Sequence, residues 1–380
     1  MNRVILLGGD HHNLLGLARD FGVNGVAPTG IIVCAESDYL FSNKSKYWEK
    51  VWCVDTEEAA IELIKATFSD EAKPAVIIAS SDAAAAALDA HYEELENHFI
   101  LPGFQVGGRI LELMNKEKQV SYANEIGVEM LTSETMLLNG YEYSKKYPVI
   151  LKPVASVEGK KTDIKICNNV QEEEDSVQEL MNAGYPHVLR QLYLKTREEY
   201  VLTGAVMPVL HKCNFTLVKH TRQWPVCFGT GSFSEFVTDK RMLAFCDQVM
   251  DKVQKSGYCG LIDIEFFGTP DGKVYLNEFN WRSSGRNFVS LYTDVHSAYW
   301  WYCAVTGIKY DDSQRISTKS GWTMNEITDF RHIFKRKISV AEWLRDVQKT
   351  DSFAVWDRRD PAPFRSRIFG LIKKLRKKGV

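Results

Sequence analysis

Glu265, Glu278 and Asn280 are the residues of this sequence whose types and spacing best suit chemistry. They lie in two apolar runs, from Leu261 to Gly268 and from Lys273 to Trp281, joined by Thr269-Pro-Asp-Gly272, which reads as a β-hairpin. Side chains alternate along a strand, so Glu278 and Asn280 share a face. A four-residue turn, Thr269 to Gly272, would pair Gly268 with Lys273 and set Glu265 opposite Leu276. Glu265 is then a diagonal neighbour of Glu278, at about 7–8 Å between backbones. Two carboxylates and an amide oxygen on one face are costly to bury unpaired and suit a hard cation. Magnesium, completed by phosphate and water, is the natural candidate, with manganese as an alternative. Arg282, just past the strand, could hold an anion beside that metal. A solvated hairpin with scattered charges is the plainer reading, but the apolar residues on the acidic face count against it.

A second feature is Lys152, which ends the apolar run Tyr147-Pro-Val-Ile-Leu and precedes the loop Ala155-Ser-Val-Glu-Gly-Lys-Lys161. Backbone N–H groups of such a loop, with Ser156, Gly159 and Lys160, suit nucleotide phosphates. The loop is not a Walker A sequence. Its charge and its glycine, placed directly after Lys152, suggest a lid that closes over nucleotide. Lys152 taken alone would as readily be a surface lysine.

The elements that must position these groups follow an α/β pattern. Val4–Leu7, Gly30–Cys34, Val51–Val54 and Ala75–Ala79 read as strands, with helices His12–Phe21, Thr56–Phe68 and Asp82–Glu96 between them, which implies a parallel sheet. Gly8-Gly9 lacks the Gly-x-Gly-x-x-Gly pattern. His11 and His12 beside it read as ordinary loop histidines, and Ser80-Ser-Asp82 as a helix cap. From about residue 106 an amphipathic helix carries Lys116 and Lys118 and ends near Gly127. Gln171–Glu179 reads as a solvated helix face and Val188–Tyr193 as a strand. Alternating strands continue through Phe228, and a helix from Lys240 to Ser256 precedes the acidic hairpin. The aromatic helix around Tyr299-Trp-Trp-Tyr302 reads as core. Beyond about Ile327 no compact strand pattern is visible.

In this order, the motifs resemble those of the ATP-grasp superfamily. Asn115-Lys116 and Lys152 look like its two ATP-binding lysines, and Ser156 to Lys161 takes the place of its phosphate-covering loop. Gln191-Leu192-Tyr193 looks like the strand whose backbone meets adenine, and Glu198 or Glu199 like the ribose-binding acid. Glu265, Glu278 and Asn280 look like the magnesium ligands, and Arg282 like the arginine that holds the transferred phosphate. Lys219 and Arg222, before Gly229-Thr-Gly231, resemble a segment lying over the phosphates; a charged strand face is the alternative. The likeness is greatest to carboxylate–amine ligases related to D-aspartate ligases and to the carbamoyl-phosphate synthetase large chain. Two departures stand out: a loop that is not glycine-rich, and Trp281 where the family usually has proline.

The resemblance implies an α/β fold with an N-terminal Rossmann-like pre-ATP-grasp domain (1–105). An ATP-grasp domain (106–326) would follow, with a nucleotide lobe at 130–192 and a metal lobe at 193–310, and then a basic C-terminal extension (327–380). It implies ATP and magnesium as cofactors, an acyl-phosphate intermediate, and a small or glycan-linked carboxylate and an amine as substrates. A bicarbonate-using carboxylase and a non-catalytic nucleotide-binding module are the other readings. Intact metal ligands argue against the second.

Composition is consistent with these expectations. The 380 residues suffice for two or three domains, and 45% hydrophobic with 25% charged residues is ordinary for a globular protein. A net charge of −2 gives no general attraction to nucleic acid. Eight cysteines without Cys-x-x-Cys spacing suggest a reducing compartment, with cytoplasm as the default. The N-terminal apolar run is too short for a signal core. In the tail, Phe364, Ile368, Leu371, Ile372 and Leu375 recur at helical spacing among seven Lys and Arg. That pattern suits either a helix docked on the body or peripheral contact with the inner face of a membrane.

Overall fold

The computed structural model describes residues 1–34, 40–70, 72–152, 163–226 and 229–377. The N-terminal strands form one parallel sheet in the order β3-β2-β1-β4-β5, with β1 Val4–Gly9, β2 Thr29–Val33, β3 Lys50–Val54, β4 Ala75–Ala79 and β5 Phe99–Ile100. Burial on both faces explains why β1 and β4 are continuous apolar runs rather than alternating ones. Helix His12–Val23 starts at an N-cap made by His11, whose ring accepts from the Asn13 N–H at 3.4 Å. Ser81 caps the helix Asp82–Ala90 by accepting from Ala84 N–H. The capping reading of Ser80-Ser-Asp82 therefore holds, although the expected helix to Glu96 divides at His91. Burial lowers the pKa of His11, and that of His12 by much more.

A four-stranded antiparallel sheet follows, ordered β6-β9-β7-β8, with β6 Ser133–Leu137, β7 Val149–Lys152, β8 Lys165–Cys167 and β9 His187–Leu192. The third sheet has the order β14-β13-β10-β11-β12-β15-β16. Its strands are β10 Glu198–Val206, β11 Asn214–Trp224, β12 Thr230–Phe236, β13 Gly260–Gly268, β14 Val274–Asn280, β15 Trp322–Met324 and β16 Ser352–Phe353.

Packing divides the chain into two compact units. One comprises Met1–Glu112, Val201–Ile264 and Phe279–Val380, and the other Leu113–Tyr200 with Glu265–Glu278. In the larger unit Phe21, Trp301 and Tyr302 are fully buried, so the aromatic helix Ser297–Thr306 is core. In the smaller unit Leu151, Cys167, Val177 and Val188 pack between the four-stranded sheet and helix Val170–Asn182.

The region after Ile327 is more structured than its sequence pattern suggests. Its short strand β16 pairs in parallel with β15, and the helices Val340–Lys349 and Ala362–Lys377 flank that strand in sequence. A two-residue strand has no period to read, so only pairing reveals it. No helix among the described residues is long and apolar enough to cross a membrane.

Candidate active site

Lys116 owes its position to a helix start. The amphipathic stretch expected as one helix breaks into Arg109–Leu113 and Lys116–Glu125. Asn115 is the N-cap of the second, its Oδ1 accepting from the N–H groups of Glu117 and Lys118 at 2.9 and 3.2 Å. An Asn that satisfies two otherwise orphaned donors stops the first helix and fixes the next residue, Lys116.

Lys152 is the last residue of β7 and points at β9, where its Nζ donates to Gln191 Oε1 at 3.0 Å. Gln191 Nε2 donates in turn to Ser133 Oγ at 3.1 Å, so three strands orient one ammonium group. The expectation for Gln191 concerned its backbone; its side chain has this second task. Leu192 is exposed, and Tyr193 N–H bonds Pro148 O at 2.9 Å.

The tandem acids differ in surroundings. Glu199 is ion-paired with Arg197 at 2.7 Å, and the Arg197 guanidinium lies over the rings of Tyr193 and Phe267. Glu198 accepts from the Tyr200 hydroxyl.

The acidic hairpin departs from its expected register. Thr269 N–H donates to Lys273 O and Gly272 N–H to Thr269 O, both at 2.9 Å, so the loop is the three residues Pro270-Asp-Gly272 rather than four. Gly272, at φ 81°, supplies the left-handed residue that ends this kind of turn. Glu265 therefore meets Asn277, which donates to it at 3.1 Å, rather than Leu276. Further along, Asn280 Nδ2 donates to Asp263 Oδ1 at 3.1 Å. Strict alternation from the turn would put Phe279, not Asn280, opposite Asp263, so β14 has gained one residue. Leu276 and Phe279, three apart, are both buried, as a β-bulge at Asn277–Glu278 requires. The bulge lets neighbouring side chains serve one face, with Asn277 on Glu265 and Glu278 on Lys116.

The smaller unit thus gathers two lysines and two carboxylates. Glu278 Oε1 is 3.1 Å from Lys116 Nζ. Burial opposes the charge on Lys116, but the charge and hydrogen bond of Glu278, helped by Glu265, outweigh it and raise its pKa. Lys152 goes the other way. Burial first and repulsion by Lys116 second pull its pKa down to about 8, against the attraction of Glu278 and Glu265. Among the described residues, the negative charge near Lys152 is too little to offset its burial, and a polyphosphate would supply more.

In the larger unit, Arg282 donates from Nε to Asp82 at 2.9 Å and from Nη2 to Asn280 Oδ1 at 3.2 Å, with Asp263 4.0 Å away. Asp263, buried and bonded also by Ser284 Oγ, orients Asn280 and Arg282 together. Sequence reasoning passed over Asp263. Its position two residues before Glu265 was the available signal.

Lys219, on β11, is 4.0 Å from Glu235 across the strand pair. Arg222 is shared between Asp329 and Asp346, at 2.8 and 2.5 Å, and lies over the Phe233 ring, which makes it a tie between β11 and the helices that follow β15. Ser156, Gly159 and Lys160, and with them the expected lid, lie outside the described residues.

In the smaller unit, Glu265 and Glu278 offer carboxylate oxygens of the hard kind that magnesium takes. No group of three His, Cys, Asp or Glu assembles among the described residues. A few protein oxygens, completed by phosphate and water, are what magnesium takes, whereas an all-protein cage would suit calcium or zinc better.

No family model matches the sequence, and no curated protein does. Solved structures do. N5-carboxyaminoimidazole synthetase from Staphylococcus aureus is 16% identical, with 88% of each chain covered and a TM-score of 0.66. L-amino acid ligase from Bacillus licheniformis is 17% identical, covering 84% of this chain and 79% of its own, with a TM-score of 0.62. The biotin carboxylase domain of the Hydrogenobacter thermophilus 2-oxoglutarate carboxylase is 16% identical, covering 84% and 73%, with a TM-score of 0.61. At such identities the likeness is one of fold. The chain has the ATP-grasp fold, as its motif order led one to expect.

Proposed function

We propose that this protein is an ATP-dependent carboxylate–amine ligase acting through an acyl phosphate. The observation that carries the reading is the pairing of Lys116 with Glu278, beside a depressed Lys152, inside an ATP-grasp fold. Lysine charge that the described carboxylates only partly offset, next to carboxylates suited to magnesium, is an arrangement for a bound nucleoside triphosphate.

In the proposed reaction a substrate carboxylate oxygen attacks the γ-phosphorus of ATP. The bond from that phosphorus to the β–γ bridging oxygen breaks, ADP leaves, and an acyl phosphate forms. An amine then attacks the acyl carbon, the carbon–oxygen bond to phosphate breaks, and the amine gives up a proton. Direct amide formation fails in water because a carboxylate is a poor electrophile, and phosphorylation supplies the leaving group. Lys116 and Lys152 would neutralise the transferring oxygens, while Arg282, held by Asp82 and Asn280, would hold the transferred phosphate. Magnesium held by Glu265, Glu278 and Asn280 would screen the β- and γ-phosphates. Glu199, the better buried of the tandem acids, is the one we assign to the ribose.

A second reading uses bicarbonate in place of an organic acid. It is favoured by the similarity to a biotin carboxylase domain whose structure contains MgADP and bicarbonate. ADP formation measured with a panel of amino acids, uronic acids and cell-wall-derived acids, each with and without bicarbonate, separates the two. The ligase reading expects release that requires one organic acid and one amine. Release that bicarbonate alone supports would replace it with the carboxylase. Glu278→Gln should lower turnover at least a hundredfold while leaving the circular dichroism spectrum unchanged, since it removes one of only two anionic magnesium ligands and an amide binds the cation more weakly than a carboxylate. Full turnover by a pure Glu278→Gln preparation would remove the site.

A further inference from the structure

The C-terminal helix Ala362–Lys377 is docked, and its docking decides which face remains outside. Phe364 packs against the cluster of Leu15, Phe41 and Val355 and meets Trp356 edge-on. Ser366 Oγ donates to Leu40 O at 2.9 Å, and the Arg367 guanidinium lies over the Phe41 ring at 4.8 Å. Exposure is concentrated on the opposite side, at Arg365, Phe369, Ile372, Lys373 and Arg376. These five stand at i, i+4, i+7, i+8 and i+11, which is one continuous face of an α-helix. Phe369 is 66% exposed and Ile372 41%. Lys44, from the turn Ser42–Lys44, joins Arg365, Lys373 and Phe369 in lining an open groove along this face.

The charge of the whole chain points the same way. Residues 330–380 carry fifteen Lys and Arg against five Asp and Glu, whereas residues 1–329 carry thirty-two against forty-four. The near-neutral total conceals a basic end on an acidic body. In the same region Phe334, 73% exposed, precedes the exposed run Lys335-Arg-Lys337 and meets Phe330 edge-on.

From this juxtaposition we infer that the outer face of the docked C-terminal helix is a seat for an anionic phospholipid membrane. Arg365, Lys373, Arg376 and Lys44 attract the headgroups, and Phe369 and Ile372 enter the acyl boundary. Both the docked helix and the membrane contact expected from the sequence are then served by one element, with its two faces divided between them. Cations alone would equally suit a nucleic acid. The exposed Ile372 decides between the two, because an aliphatic side chain offers no base-stacking surface but does partition into a bilayer. This inference does not depend on the proposed reaction.

The test is co-sedimentation of the full chain with vesicles of phosphatidylcholine alone or containing about 30% phosphatidylglycerol, at about 0.1 M salt, where surface charges still act over about 10 Å. The expected result is binding to the anionic vesicles only. Phe369→Ser with Ile372→Ser should lower it at least fivefold, and neutralising Lys373 alone about fivefold, the amount one cation contributes near such a surface. All of these side chains are exposed, so the variants keep their fold, which unchanged thermal melting verifies. Absence of binding, equal binding to neutral vesicles, or indifference to the Phe369/Ile372 pair would overturn the inference. So would an RNA oligonucleotide that binds as tightly as the vesicles and is unaffected by that pair.

Discussion

Lys152 is the side chain whose chemistry its surroundings alter most usefully. Its pKa of about 8 in the free protein means that it is mostly protonated at neutral pH and mostly neutral by pH 9. A nucleotide phosphate prefers the protonated form, so binding is almost fully supported below about pH 7. Above pH 8 the group must first take up a proton. Affinity for a metal-free ATP analogue should therefore fall about fivefold between pH 8 and pH 9. Calorimetric titration across that range checks it. Lys152→Arg should flatten the profile because guanidinium does not titrate there, and Lys152→Ala should weaken binding at every pH. A level wild-type profile would mean that Lys152 does not meet the phosphates. Lys116, whose pKa Glu278 raises, should contribute no slope in this range.

At the scale of elements, the smaller unit depends on one buried carboxylate. Glu173 sits on the helix Val170–Asn182 whose sequence reads as solvated and acidic, yet its side chain is fully buried. It accepts from Tyr141 Oη at 2.6 Å, from Ser144 N–H at 3.0 Å and from the Tyr147 hydroxyl. Burial, and then Glu173 itself, push both phenols well above their ordinary range, so they remain donors. Arg190, 3.6 Å away on β9, neighbours Gln191, which holds Lys152. Glu173→Ala would strand three donors and should cost about 3 kcal/mol, read as an earlier urea transition. Glu173→Gln, which retains an acceptor, should cost less than half of that.

At the scale of the molecule, the larger unit is closed on itself by a contact between residues 341 positions apart. Arg19 and Asp360 are both fully buried and ion-paired at 3.0 Å. Asp360 also accepts from Ser45 Oγ at 2.7 Å and from Lys46 N–H at 3.1 Å. Removing one member leaves the other charged and enclosed, so Asp360→Ala should destabilise the protein by roughly 3–5 kcal/mol. A melting temperature within about a degree of wild type would show that the pair is dispensable. It follows that truncation to isolate the C-terminal helix must begin after Asp360, because a cut before it removes this lock as well as the helix.

The sequence by itself determined the local order of elements and the types of residue at the site. Continuous apolar runs marked the buried parallel strands, Ser81 marked a cap, and Glu265, Glu278, Asn280, Lys116 and Lys152 could be named because reactive side chains at element ends need no packing to be noticed. Tertiary structure decided what depends on distance. The bulge that turns Glu278 toward Lys116 arises where two strands meet, and a one-residue shift is invisible in either strand alone. Asp263, and the second task of the Gln191 side chain, became visible only through their partners. That Arg222 ties β11 to later helices could be known only by seeing Asp329 and Asp346, which lie more than a hundred residues downstream. The depressed pKa of Lys152 has the same origin. Burial and a like charge 36 positions earlier in the chain set it, and periodicity along a sequence carries no information about either.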